Sequence, residues 1–237
     1  MTNNRDFLAL ALDNVTSSGQ IEELIEKTSE WIGVYKIGLE QFTRFGPSVL
    51  DIIRRSGRKI FLDLKFHDIP NTVAKAVKSA CSLGVDYLTI HTQGGLEMMK
   101  AAAESARQSS DNPPKIIGVT LLTSLGPDAL KNELAVTMEV NTYVKHLASL
   151  AVQAGIDGIV CSAADLPSVK PDLPAHFHVI TPGIRPAGAD IGDQKRVATP
   201  GAAVKSGATL LVVGRPITGA EDPAKAAEEI WKETAVF

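Results

Sequence analysis

The stretch FLDLKFHDIP, residues 61–70, places Asp63, Lys65 and Asp68 among Phe, Leu and Ile. It begins with strand formers. Strand side chains alternate, so Asp63 and Lys65 share a face with Phe61 while Leu62 and Leu64 share the other. Lys36, inside GVYKIGLE, brings a second ammonium group from the run before it, and Asp13 closes ALALD. In the set Asp63, Asp68, Lys36 and Lys65, two carboxylates and two ammonium groups cancel formally, which is a condition for holding charge where water is scarce. Such a set is either a structural ion network or a catalytic array. Because a network costs desolvation without necessarily adding stability, the grouping of charges at strand ends favours chemistry.

A second signal lies near the C-terminus. In VVGRP an apolar run ends in Gly214 and Arg215, and in TPGIRP another ends in Pro182, Gly183 and Arg185. Backbone N–H groups beside glycine, joined by a bidentate guanidinium, suit a phosphate. Thr123 and Ser124 follow GVTLL in the same way. The histidines carry less. His67 reads as orienting or structural, and His91 ends a strand and could face the site. His146, His176 and His178 read as surface or packing residues. No spacing resembles a metal set or a nucleophile triad.

These residues need elements to hold them. Eight short apolar runs recur, FLALAL, VYKIG, KIFLDL, YLTIHT, KIIGVTLL, GIVCS, HVITPG and TLLVVG, separated by stretches of helical periodicity. The periodicity predicts helices over Ile21–Trp31, Asn71–Leu83, Leu96–Arg107, Tyr143–Ala154 and Pro223–Glu233. Eight βα units in one chain of 237 residues fit a (β/α)8 barrel, an α/β fold, with residues 1–237 as a single domain and the site at the C-terminal ends of the strands. SLGVDYLTI, QAGIDGIVC and KSGATLLVV form a weak repeat in which Gly84, Gly155 and Gly207 read as helix C-caps. The segments around 125–140 and 184–200 read as the longest loops, the second as a lid.

Bulk properties narrow the function classes. A net charge of −3 and a charged content of 22% describe an ordinary globular chain and provide no basic face for nucleic acid. MTNNRDFLALALD is too short in its apolar part for a signal segment or a membrane span, so the expected location is the cytoplasm. Cys81 and Cys161 stand among small and apolar neighbours, without metal-type spacing, and read as buried small hydrophobes.

FLDLKFHDIPNTV closely resembles the D-x-K-x-x-D-I-P-N-T signature of the orotidine 5'-monophosphate decarboxylase family. ALD, YKIG, LTS, TPGIRP, a Gln in the following loop and VGRPI occur in that family's order along the whole chain. The resemblance implies a cofactor-independent conversion of orotidine 5'-monophosphate to uridine 5'-monophosphate and carbon dioxide, the last step of UMP biosynthesis. By resemblance Lys65 donates the proton that quenches the carbanion left at C6, and Asp63 lies near the leaving carboxylate. Lys36 links Asp63 with the ribose hydroxyls, and Asp13 accepts from the ribose. Asp68 and Thr72 enter the site of the other subunit of a homodimer. Thr123 and Ser124 meet the pyrimidine or its edge, Pro182 belongs to the substrate-binding set, and Arg185, Gln194, Gly214 and Arg215 hold the phosphate, with Gln194 on a closing loop. No metal is implied. The sequence shows no motif for pyridoxal or thiamine, so fixed charge must stabilise the carbanion.

A bare D-x-K-x-x-D is shared with related phosphosugar decarboxylases. A 3-keto-L-gulonate 6-phosphate decarboxylase, which forms a magnesium-stabilised enediolate, is therefore the rival reading. A catalytically silent phosphate-ligand sensor on the same barrel is the alternative outside enzymes.

Overall fold

A computed structural model describes residues 5–186 and 197–234 of the chain. Eight strands among them close a parallel barrel in sequence order. They are β1 (Leu8–Ala11), β2 (Val34–Gly38), β3 (Lys59–Phe66), β4 (Tyr87–His91), β5 (Lys115–Val119), β6 (Gly158–Val160), β7 (His178–Thr181) and β8 (Leu210–Val213). Each of the eight apolar runs marks one of these strands, β3 extending two residues beyond KIFLDL, and the fold is the predicted (β/α)8 barrel.

Alternation along each strand separates two cores. Ala9, Ala11, Val34, Phe61, Tyr87, Ile117, Ile180, Leu210 and Val212 fill the barrel. Phe61 and Tyr87 supply much of that filling, with ring centroids 5.8 Å apart, while Ala9 and Ala11 on β1 leave room for them. Leu8, Leu10, Tyr35, Ile37, Leu62, Leu88 and Ile90 face outward against the helices. Burying each such side chain contributes roughly 1.5–3 kcal/mol, so the two-sided burial of the strands dominates the stability of the barrel.

The predicted helices are present with shifted ends. The first is Ser18–Thr28, because the Ser17 hydroxyl caps it by accepting from the Gln20 N–H. Three others span Pro70–Cys81, Gly95–Ser109 and Val140–Ala154, and the last spans Pro223–Thr234. The segment expected as a long loop near 125–140 contains a short helix, Pro127–Asn132. Gly84, Gly155 and Gly207 all have positive φ, at 62°, 70° and 99°, as helix-ending glycines should.

The repeat carries a second device that the glycines alone did not reveal. Two residues after each glycine stands Asp86, Asp157 or Thr209, at the foot of the next strand. Each side chain accepts the backbone N–H of the preceding strand's Ile60, Ile116 or Val179, all at 2.8 Å. Each backbone N–H in turn donates to the carbonyl of that same residue. Pairs of strands are thereby pinned in register at the floor of the barrel, opposite the end where the site forms.

The candidate lid, around 184–200, lies mainly outside the described residues. Its two feet are described and paired. Arg185 N–H donates to the Ala198 carbonyl at 2.9 Å and Ala198 N–H to the Gly183 carbonyl at 3.2 Å. Among the described residues, no helix is long and apolar enough to cross a membrane.

Candidate active site

At the C-terminal end of the barrel the interior opens into a cavity of about 480 Å³. Its floor is the top layer of barrel-filling side chains, including Phe61, Ile180 and Val212, and its walls are the strand ends. Asp13, Lys36, Asp63 and Lys65 line the arc from β1 to β3, while Pro182, Arg185, Gly214 and Arg215 line the arc from β7 to β8. Thr123 closes the cavity after β5.

Register explains how the charges meet. Ala11 pairs with Lys36, and Gly38 pairs with Asp63, so ascending residues of β1, β2 and β3 come to one level. Lys36 shares the inward face of Val34, while Tyr35 and Ile37 pack outward. Its ammonium lies 3.1 and 3.3 Å from the two oxygens of Asp13 and 3.5 Å from Asp63 Oδ2. Lys65 Nζ donates to that same Asp63 oxygen at 2.8 Å. The result is a chain of alternating sign, Asp13–Lys36–Asp63–Lys65.

Solvent reaches this chain unevenly. The side chains of Lys36 and Asp63 are only 9% and 12% exposed, against 29% for Lys65. Burial by itself would push the Asp63 carboxyl up. Lys36, then Lys65, and hydrogen bonds from Lys65 and Thr89 outweigh that penalty and hold the carboxyl below its ordinary range. The site therefore keeps a carboxylate ionised and a proton-bearing ammonium beside it in a confined space. It can stabilise negative charge that develops next to Lys65 and deliver a proton there.

Alternation correctly puts Asp63 and Lys65 inside, but β3 is not a regular strand at that point. Leu62 pairs with Leu88 and Phe66 with Ile90, so Asp63, Leu64 and Lys65 together face the single residue Thr89. Lys65 has a φ of 50°, which L-residues rarely adopt. Leu64 and Phe66 still pack on the outer core, so the bulge changes the aim of Lys65 without turning the strand over. Thr89 was missed in reading the sequence. Its signal was its place in Tyr87–His91, on the same side as the barrel-filling Tyr87.

Other candidates are placed differently. Asp68 and Thr72 are exposed and do not line the cavity of their own chain, and Asp68 accepts its neighbour Ile69's N–H at 2.6 Å. Ser124 is also exposed and stands outside the cavity lining. Gln194 lies outside the described residues. Arg185 is buried, and its Nη1 donates to the Ile184 carbonyl at 2.9 Å. His67 packs on His91 with ring centroids 5.3 Å apart. Neither lines the cavity. Cys161 does, yet burial and then Asp165 push its thiol up, which leaves it protonated and unreactive. Cys81 is only half-buried, a correction to the expectation from its apolar neighbours. It sits at the last turn of its helix, where one side faces outward.

Known proteins share both the sequence and the shape. A model of the "Orotidine 5'-phosphate decarboxylase / HUMPS family" matches residues 6–230. The orotidine 5'-phosphate decarboxylase of Moorella thermoacetica is 44% identical over 233 residues, covering 97% of this chain and 92% of that protein. The protein of the same name from Syntrophotalea carbinolica is 45% identical over 235 residues, covering 98% and 96%. Among solved structures, the orotidine 5'-phosphate decarboxylase of Lactobacillus acidophilus superposes with a TM-score of 0.84 at 36% identity, covering 96% of this chain and 98% of that one. With a matching barrel, a charge chain at its mouth and relatives aligned almost end to end, the chain belongs to the orotidine 5'-phosphate decarboxylase / HUMPS family.

Proposed function

We propose that this protein decarboxylates orotidine 5'-monophosphate to uridine 5'-monophosphate and carbon dioxide in pyrimidine biosynthesis, as a single barrel domain acting in the cytoplasm. The observation that carries the reading is the alternating chain Asp13–Lys36–Asp63–Lys65 at the cavity mouth, beside a rim formed by Arg185, Gly214 and Arg215. Relatives named for this activity support it.

The chemistry follows from the charges. The bond from C6 to the carboxylate breaks with its electron pair left on C6, and carbon dioxide departs. The Lys65 ammonium stabilises the developing charge and then gives C6 a proton, which solvent later replaces on Lys65. Since Asp63, itself paired with Lys36, holds the Lys65 ammonium in place before substrate arrives, little reorganisation is needed during reaction. Asp63 lies near the leaving carboxylate, and Asp13 with Lys36 meets the ribose hydroxyls. Arg185, Gly214 and Arg215, together with Gln194, hold the phosphate. Contacts so far from C6 supply binding energy that aligns the reacting end. Thr123, which lines the cavity, meets the pyrimidine, Ser124 next to it meets the pyrimidine's edge, and Pro182 belongs to the binding rim. Asp68 and Thr72 serve the second site of a homodimer, a reading supported by their exposure outside their own cavity.

The test follows loss of orotidylate absorbance by the purified protein, with and without EDTA. Turnover that survives chelation is expected. Activity abolished by EDTA and restored by magnesium would point instead to an enediolate-forming decarboxylase. In parallel, Lys65→Ala should lose most of kcat while holding uridine 5'-monophosphate within about tenfold of the wild type, roughly 1.4 kcal/mol. Near-normal turnover by that variant ends the assignment of Lys65.

A further inference from the structure

The left-handed conformation of Lys65 needs something to hold it, and the described residues show what does. The bulge on β3 takes the Lys65 N–H out of the regular ladder, because Asp63, Leu64 and Lys65 all face Thr89. That N–H donates to Thr89 Oγ1 at 2.9 Å. The same hydroxyl lies 2.9 Å from Asp63 Oδ1. An ionised carboxylate only accepts, so the hydroxyl proton points to Asp63 while its lone pair receives the Lys65 N–H. Meanwhile Asp63 Oδ2 receives the Lys65 ammonium at 2.8 Å. A closed circuit results, from the Lys65 backbone through Thr89 and Asp63 to the Lys65 side chain.

We propose that Thr89 is a positioning residue of the decarboxylation: its one hydroxyl fixes the backbone of Lys65 and the rotation of the Asp63 carboxylate together. The proposal rests on the reading of Lys65 as proton donor given above. Thr89 suits the task in three ways. It is fully buried, so water does not compete for either bond. Its β-branch restricts χ1 and keeps the hydroxyl aimed. A hydroxyl is also small enough to donate and accept at one point, which an amide or a carboxylate in the same space does not do. With the hydroxyl absent, the Lys65 N–H and Asp63 Oδ1 each lose a partner. Lys65 is then free to leave its left-handed conformation, and its ammonium loses the aim that a near-attack arrangement requires.

Three substitutions separate this role from simple packing. Thr89→Ser keeps the hydroxyl and drops the methyl, Thr89→Ala drops both, and Thr89→Val keeps the shape and drops the hydroxyl. With kcat measured on orotidine 5'-monophosphate and affinity on uridine 5'-monophosphate, Ala and Val are expected to lose on the order of a hundredfold in kcat. Their nucleotide affinity should stay within about threefold, and Ser should recover most of the loss. Ser as slow as Ala, Ala as fast as the wild type, or an equal fall in kcat and affinity each overturns the proposal. If circular dichroism shows Ala and Val unfolded, Thr89→Cys, whose thiol is a poor donor, takes their place and must show the same kcat-specific loss. Lys65→Ala measured alongside keeps the two readings apart. Its full activity would remove the Lys65 assignment itself, whereas an inactive Lys65→Ala beside a fully active Thr89→Ala removes only the role of Thr89.

Discussion

Asp63 and His91 illustrate opposite ways of treating an ionisable group at one end of a barrel. Asp63 is desolvated but surrounded by Lys36, Lys65 and the Thr89 hydroxyl, so it stays charged below the ordinary carboxylate range. His91 is half-buried beside His67 and Lys65. Burial, then those two neighbours, pull it down to about 4 from 6.5, with Asp63 opposing. Its Nδ1 is buried without a hydrogen-bond partner among the described residues. The sign for stability follows from the proton count. Between pH about 6.5 and about 4 the unfolded chain binds a proton on His91 that the folded chain refuses, so stability present above that window is lost as pH falls through it. His91→Gln should therefore narrow its Tm deficit relative to the wild type, or reverse it, between pH 7 and about pH 4.5 in thermal unfolding monitored by circular dichroism. Part of the acid sensitivity should persist, because burial also lowers His178. A Tm difference that is the same at both values would mean that His91 does not carry the effect. At this scale the sequence was most legible where charge stands out, as in Asp63 and Lys65. Thr89 was obscure because a threonine in a strand is ordinary; only its two partners make it notable.

Elements position these residues by pairing at both ends. At the floor, Asp86, Asp157 and Thr209 each accept an N–H from the strand before. The mouth carries the bulge of β3 against β4. Regularity at one end fixes the register that the irregular end exploits. Asp86→Ala leaves the Ile60 N–H without that acceptor, and about 1–2 kcal/mol of stability should be lost in urea unfolding. Since Asp86 is far from the cavity lining, kcat should be unchanged. A comparable fall in kcat would show that the floor and the mouth are coupled. Strand alternation, an argument of period two, gave the correct side for every inward residue from Phe61 to Lys65. It could not reveal the bulge, because three residues opposite one is a property of two strands, and no single run of sequence encodes it.

At the scale of the whole molecule, the fold binds one half of the chain to the other. β1 pairs with β8, so Asp13 from the first strand and Arg215 from after the last line one cavity. The assembly goes further in the reading proposed above, because Asp68 and Thr72 do not face their own cavity. If they complete the partner's site, mixing inactive Lys65→Ala and Asp68→Ala protomers should restore activity. With random exchange in a two-fold dimer, half the molecules are mixed and one of their two sites has both native residues, so roughly a quarter of wild-type turnover is expected. Mixed dimers confirmed by mass that remain inactive would mean that each site is built from one chain. The sequence by itself determined the eight βα units, the end of the barrel that bears the cavity and, Asp68 apart, the charged residues picked out to line it, because hydrophobic period and residue type are local properties. Only the tertiary structure decided the left-handed turn at Lys65, the Thr89 circuit and the three N–H locks at the barrel floor. Each of those depends on which atoms two separate segments bring within hydrogen-bonding distance, and that distance is set by the closing of the whole barrel.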